Sequence, residues 1–439
     1  MKDAPLESPD ATESGEETTA QESVEESVEE APVRLTDFAD LRRNGHFYAD
    51  KTEFLFRLVK QDRPIFLARP PRFGKSLLLS SFERLLEGQR DLFKGLWIDQ
   101  ADYDWAPSPV IKLDINQVTD DTSWTLENNL SQLTQDEAKR LGIQLKMKNP
   151  ANTLSSLILN LFDKYDKKVS ILIDGYDAPI IKHLDQPNDA TNIREILKKF
   201  YDRLRSDEEM IGPIFITGVC RFDWNSIFSY LPNLYDLTFE RDYAAICGFT
   251  AVDIEDLLGD RKKKILKRLL KEKFIAPGSQ GKDLSDFIRD FYGGYSWDGR
   301  TRVYNPWSAL SFLHEGKLSN YWYSCGIPNL LREMRPEALG NLDWFKNLPS
   351  LNETNSYIDN LNRLDLAVLL FQTGFLTIKE KIGQTEEIPE YSLGLPNIEV
   401  QAALAPVVSE ISQRDNPIKD DKESMNVISD FLKLKDLMV

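Results

Sequence analysis

The stretch Pro64–Leu79, PIFLARPPRFGKSLLL, decides how this chain is read. A short apolar run, Ile65-Phe66-Leu67-Ala68, meets a turn-rich segment, Arg69-Pro70-Pro71-Arg72-Phe73-Gly74. Lys75-Ser76 then opens a helical pattern with apolar residues at Leu77, Leu78, Leu79, Phe82, Leu85 and Leu86. Strand, loop, Gly-Lys-Ser and helix, in that order, is the layout of a phosphate-binding loop. Successive backbone N–H groups of such a loop curl around phosphate oxygens. The helix N-terminus adds unpaired donors and a positive dipole end. Gly74 lets the backbone approach closely, because it has no Cβ. Lys75 supplies a point charge to the β- and γ-phosphates, and Ser76 a hydroxyl to Mg²⁺. Where the usual pattern begins with glycine, this chain has Arg69. An ordinary strand-turn-helix is the alternative for the loop taken alone.

Working outward, further apolar runs read as strands: Pro109–Ile115, Val169–Asp174, Pro213–Val219 and Tyr235–Phe239. Helical segments near 122–141, 152–165 and 192–206 separate them. Near-continuous apolar strands alternating with helices predict a parallel sheet covered by helices. Upstream, Thr36–Leu41 reads as a capped helical turn, and Asp50 or Thr52 can cap a helix over Phe54, Leu55, Leu58 and Val59. Asp174 ends the Val169–Ile173 run, where a Walker B acid would orient Mg²⁺ through the Ser76 hydroxyl and water. A Gly-Lys-Ser after one strand and an acid after a later one is a more specific combination than either alone.

With these stretches in place, the chain resembles the bacterial predicted AAA-ATPase-like family, whose members often carry a C-terminal nuclease-like domain. The matching stretches include Tyr48–Thr52, Arg69–Leu77, Leu92–Leu96, Ile173–Pro179, Phe215–Phe222, Ser226–Ser229 and Cys247–Thr250. They continue through Tyr292–Tyr295, Val303–Ser308, Tyr321-Trp322, Gly374–Thr377 and Leu395–Val400, so the resemblance covers roughly 34–408. In that family an Arg also replaces the first loop glycine. The resemblance implies that Arg69, Pro70, Pro71, Arg72, Phe73, Gly74, Lys75, Ser76 and Leu77 hold ATP, with Ser76 and Asp174 on Mg²⁺. It departs at one position. The family has Ile-Asp-Glu-Tyr-Asp at the Walker B strand, and here the glutamate position is Gly175. Losing a general base costs about 10²–10⁴-fold in rate. Asp177 is the substitute within reach along the chain, and a glutamate restored at 175 would point toward the γ-phosphate. Thr217 ends the following strand as a γ-phosphate sensor or a satisfied buried hydroxyl. Arg221 can reach a phosphate or a neighbouring acid.

Composition narrows the remaining classes. The chain of 439 residues carries 71 Asp/Glu against 54 Lys/Arg, a formal charge of −17. Eleven acids and one lysine fall within residues 1–32, which account for −10 of it. With no aromatic residue there, this segment is read as a disordered acidic tail to residue 33, solubilising or partner-binding. No run of 18 apolar residues exists, so no transmembrane helix is expected, and the acidic N-terminus is not read as a signal peptide. Three widely spaced cysteines, Cys220, Cys247 and Cys325, form no disulfide framework, which suits a reducing, cytoplasmic setting.

Beyond 250 the pattern turns helical. The basic stretch Arg261–Lys273 has an apolar stripe at Ile265, Leu266, Leu269 and Leu270. It reads as a solvated face, with a local nucleic-acid contact as the alternative; the acidic balance does not support nonspecific nucleic-acid binding. The aromatic residues Phe291, Tyr292, Tyr295, Trp297, Tyr304 and Trp307 read as packed core. From about 360 to 410, a helix with β-runs at Phe375–Ile378 and Glu390–Leu393 suggests a winged-helix-like module with Lys379–Gln384 in its wing. Too few residues follow Glu410 for a nuclease-like domain. The expectation is therefore α/β: a three-layer P-loop NTPase domain with a parallel sheet over 34–250, a helical domain over 251–359 and a small α/β module with a tail over 360–439. The expected function is ATP and Mg²⁺ binding with slow hydrolysis, alone or with a homo-oligomeric or protein partner. The alternative is a non-hydrolysing interaction protein.

Overall fold

The computed structural model describes residues 36–404 except 119–122, 147, 224–226, 229–230, 232, 260, 275–280, 323–349, 362–364 and 383–388. The acidic segment 1–33, the tail after 404, Cys325 and the wing residues Gly383 and Gln384 lie outside the described residues.

Five strands form one parallel sheet: β1 (Ile65–Ala68), β2 (Val110–Asp114), β3 (Val169–Asp174), β4 (Ile211–Gly218) and β5 (Tyr235–Asp236). Their spatial order is β2-β3-β4-β1-β5. All residues of β1 and β3 are buried, as continuous apolar runs in a covered parallel sheet require. The chain leaves β1 toward β2 on one side and leaves β4 toward β5 on the other. Connections that diverge at neighbouring strands open a crevice at the carboxyl ends, where ligands of open α/β sheets bind.

Helices α1 (Phe38–Arg43), α2 (Thr52–Leu58), α3 (Lys75–Leu86), α4 (Ser123–Arg140) and α5 (Pro150–Tyr165) pack around the sheet. Asp37 caps α1 by accepting the Asp40 N–H at 2.9 Å. At α2, Lys51 holds the N-cap position without a side-chain bond, and Asp50 does the capping, accepting from the N–H and hydroxyl of Thr52, the first helical residue. In α3, Leu78, Leu79, Phe82, Leu85 and Leu86 are buried, and Phe82 meets Phe215 of β4 edge-on at 5.9 Å. Burying such side chains contributes about 1.5–3 kcal/mol each. On the same helix Glu83 is buried and paired with Lys112 at 3.0 Å and Arg140 at 3.3 Å. After β3 come α6 (Ala178–Ile181) and α7 (Pro187–Tyr201).

The helices Ala251–Leu258, Arg261–Lys271, Gly281–Tyr292 and Pro306–Glu315 have a core of their own, built on Ile254, Leu258, Leu269, Leu284, Ile288 and Phe312. The basic helix turns Ile265 and Leu269 into that core, while Lys262 pairs with Glu255 and Arg268 with Glu272. Among the described residues, the C-terminal elements do not have a separate core. Helix Leu366–Thr373 and an antiparallel sheet, ordered β6 (Leu351–Asn352), β8 (Glu390–Gly394), β7 (Thr377–Ile382), join the apolar cluster of the large sheet. The expected helix and the run Glu390–Leu393 are present, while the run expected at Phe375–Ile378 is shifted to Thr377–Ile382, so Lys379–Ile382, expected in the wing, lie in the strand. The third strand, β6, is too short to carry a periodic signal.

Candidate functional site

The loop leaves β1 at Arg69 and enters α3 at Lys75. Gly74, with φ +90°, adopts the left-handed conformation just before the helix. Arg72 has φ +69° too, which costs a non-glycine residue about 1–2 kcal/mol and must be held in place. Its guanidinium lies 4.6 Å from the Trp307 ring centre. Phe73 is buried and meets Tyr295 and Trp297 edge-on, at 4.8 and 5.4 Å. Pro70 is pressed against Gly374, where an added Cβ would come within 2.9 Å of the proline ring. Arg69 is buried. It donates to the carbonyls of Ala68 and Thr238, at 2.9 and 3.0 Å, and lies 4.1 Å from the Trp297 ring. Arg69, Pro70, Arg72 and Phe73 are therefore anchors. Each ties the loop to a segment far along the chain.

Lys75 folds back under the loop. Its Nζ donates to the carbonyls of Arg69 at 2.8 Å and Pro70 at 2.9 Å. Burial pulls its pKa down, and the charge of Asp174 opposes that. Ser76 donates to Asp174 Oδ2 at 2.5 Å, and Thr217 donates to Asp174 Oδ1 at 2.9 Å. Strand β4 lies between β1 and β3, which is why Thr217 at its end reaches the acid. Burial pushes Asp174 up, against the Ser76 hydrogen bond and the Lys75 charge. A lysine, a hydroxyl and a buried acid thus converge at the carboxyl end of the sheet. Oxygen donors of this kind suit a hard cation such as Mg²⁺, and the buried ammonium suits an anion.

Residues 32–228 match the family described as Predicted AAA-ATPase. A protein of Azotobacter chroococcum mcd 1, described as "Uncharacterized protein in vnfD 5'region", is 30% identical over 383 residues, or 86% of this chain and 69% of that one. The chain belongs to the AAA-ATPase-like family. Membership points to nucleotide chemistry, and the AAA-ATPase-like span contains the loop, Asp174, Thr217 and Arg221. Among the described residues, no helix is long and apolar enough to cross a membrane.

Two sequence candidates of this AAA-ATPase-like chain stand elsewhere than the expected chemistry requires. Asp177 is fully buried and accepts the backbone N–H of Val219 at 3.0 Å and of Cys220 at 2.6 Å. Burial pushes its carboxyl up to about 6, against those hydrogen bonds. It staples the turn after β3 to the turn after β4. Arg221 neither sits on the surface nor joins the loop. Its guanidinium donates to Asp236, the Glu353 carbonyl, Ser356 and Tyr357, and is ion-paired with Asp236. Its guanidinium stacks against the Tyr357 and Phe239 rings. It reaches an acid, as one of its two readings allowed, and that acid belongs to a buried lock between the large sheet and the C-terminal segment.

Gly175 has φ +66°, and a Cβ there would lie 2.3 Å from the Asn116 side-chain amide. A side chain at 175 would therefore adopt a strained backbone and require the exposed Asn116 amide to turn aside. Asn116 follows β2, whose last residue, Asp114, is the register partner of Asp174. Neither was singled out in the sequence. The signal was present: Val110–Asp114, like Val169–Asp174, is an apolar run ending on an acid.

Proposed function

We propose that this protein binds ATP with Mg²⁺ at Arg69–Leu77 and hydrolyses it slowly, passing its nucleotide state to the helical and C-terminal segments. The observation that carries the reading is the array Ser76–Asp174–Thr217 beside the buried Lys75 ammonium. Lys75 would exchange its carbonyl partners for phosphate oxygens. Ser76 and Asp174 would hold Mg²⁺, which neutralises charge on the phosphates when bound. Thr217 keeps Asp174 oriented from the neighbouring strand. Gly175 offers no carboxylate and Asp177 is committed to backbone N–H groups, so the end of β3 supplies no base of its own and turnover is slow.

Coupling has a physical route in the anchors. Moving the loop must disturb Phe73 against Tyr295 and Trp297, Arg72 against Trp307 and Pro70 against Gly374. Adding Mg·ATP should change tryptophan fluorescence, and Trp307→Phe should remove part of that change. The second reading is a nucleotide-dependent switch without turnover, which Gly175 favours. A phosphate-release assay on protein that binds ATP separates the two.

A further inference from the structure

We infer that Asp114 is the carboxylate that orients and deprotonates the attacking water. The inference rests on the hydrolysis reading above and names the group that serves that reaction.

Asp114 and Asp174 are register partners at the ends of parallel neighbours β2 and β3. Such strands lie about 4.8 Å apart, and registered residues share a face. The shared face is the one covered by α3. Two residues before Asp114, Lys112 donates to Glu83 of that helix at 3.0 Å. Asp174 on the same face accepts from Ser76 in the helix's first turn. Asp114 therefore lies toward the end of α3 where Lys75 and Ser76 stand.

Its carboxylate is already positioned. Oδ1 accepts from the Asn116 N–H at 3.2 Å and from Asn116 Nδ2 at 2.8 Å, and Oδ2 accepts from Gln117 Nε2 at 2.7 Å. A carboxylate oxygen accepts two hydrogen bonds, so Oδ2 keeps a lone pair for water. The same Asn116 amide fills the direction a side chain at 175 would take. The glycine and the tip of β2 fit together, and the tip brings a carboxylate of its own. Asp177, the other acid nearby, is sealed under Val219 and Cys220. In the step, the water oxygen bonds to the γ-phosphorus and the bond from that phosphorus to the β–γ bridging oxygen breaks. The water proton passes to Asp114 Oδ2.

The test compares the full chain with Asp114→Asn, Asp114→Glu and Asp174→Asn. Thermal melts establish that each is folded. ATP affinity is titrated with and without Mg²⁺, and turnover is read from radiolabelled phosphate release. Asp114→Asn should lower turnover about 10²-fold while its Mg·ATP affinity stays within about threefold of wild type. Asp114→Glu should keep part of the turnover. If Asp114→Asn turns ATP over like wild type, the inference fails and the hydrolysis reading stands. If Asp114→Asn loses the Mg²⁺ dependence of binding as Asp174→Asn does, Asp114 holds the metal and the inference fails. Wild-type protein that binds ATP without any turnover overturns both.

Discussion

Gly175 and the Asn116 side chain share one space: a Cβ on Gly175 would lie 2.3 Å from the Asn116 amide, which would have to turn aside. The sequence alone suggested that Gly175→Glu would restore a catalytic carboxylate. The structure predicts the reverse. The substitution should lower the melting temperature, since φ +66° costs a non-glycine residue about 1–2 kcal/mol and Asn116 must also move. Turnover should not rise. Adding Asn116→Gly should recover part of the lost stability, because the collision goes while the backbone cost stays. A stable, faster Gly175→Glu enzyme would refute this geometry.

Arg221→Met should destabilise strongly. The guanidinium is fully buried and satisfies Asp236, Ser356 and Tyr357 together. Breaking a buried pair by removing one partner costs about 3–5 kcal/mol, because the remaining charge is left unpaired. Denaturant titration reads the loss. Limited proteolysis should show faster cleavage near Glu353–Tyr357, which the arginine ties to the sheet. A change below about 1 kcal/mol would mean that the lock contributes little.

Glu399 gives a pH dependence. It is fully buried, accepts the Trp322 N–H at 2.8 Å, and burial pushes its carboxyl up to about 8. An unfolded glutamate titrates near about 4.3. The folded state thus keeps a proton that the unfolded state releases. This contribution to stability is full below about pH 4.3 and is lost as pH rises through about 8. Glu399→Gln removes it. Melts across pH 5.5–8.5 should show wild type losing stability with rising pH more steeply than the variant. Parallel profiles would place the proton elsewhere.

What the sequence made legible follows from local patterning. β1, β3 and β4 are apolar runs without alternation, and Gly74-Lys75-Ser76 and Asp174 sit at their ends, so the sheet type and the meeting of Ser76 with Asp174 could be read directly. Gly175 looked like a vacancy because its neighbour in space, Asn116, is 59 residues away in the chain. Arg69 looked like a defect because its support comes from Thr238 and Trp297. Arg221 was ambiguous for the same reason, with its partners at 236 and 353–357. Periodicity reports which face a residue buries. It carries no information on which distant segment covers that face.

The most direct test of the account is a calorimetric titration of ATP, with and without Mg²⁺, into wild type, Lys75→Ala and Asp174→Asn. Removing Lys75 should weaken binding at least about tenfold, or about 1.4 kcal/mol, whether or not Mg²⁺ is present. Asp174→Asn should bind ATP but lose most of the gain that Mg²⁺ gives the wild type. Equal affinities for wild type and Lys75→Ala would contradict the account and leave Arg69–Leu77 as a turn between a strand and a helix.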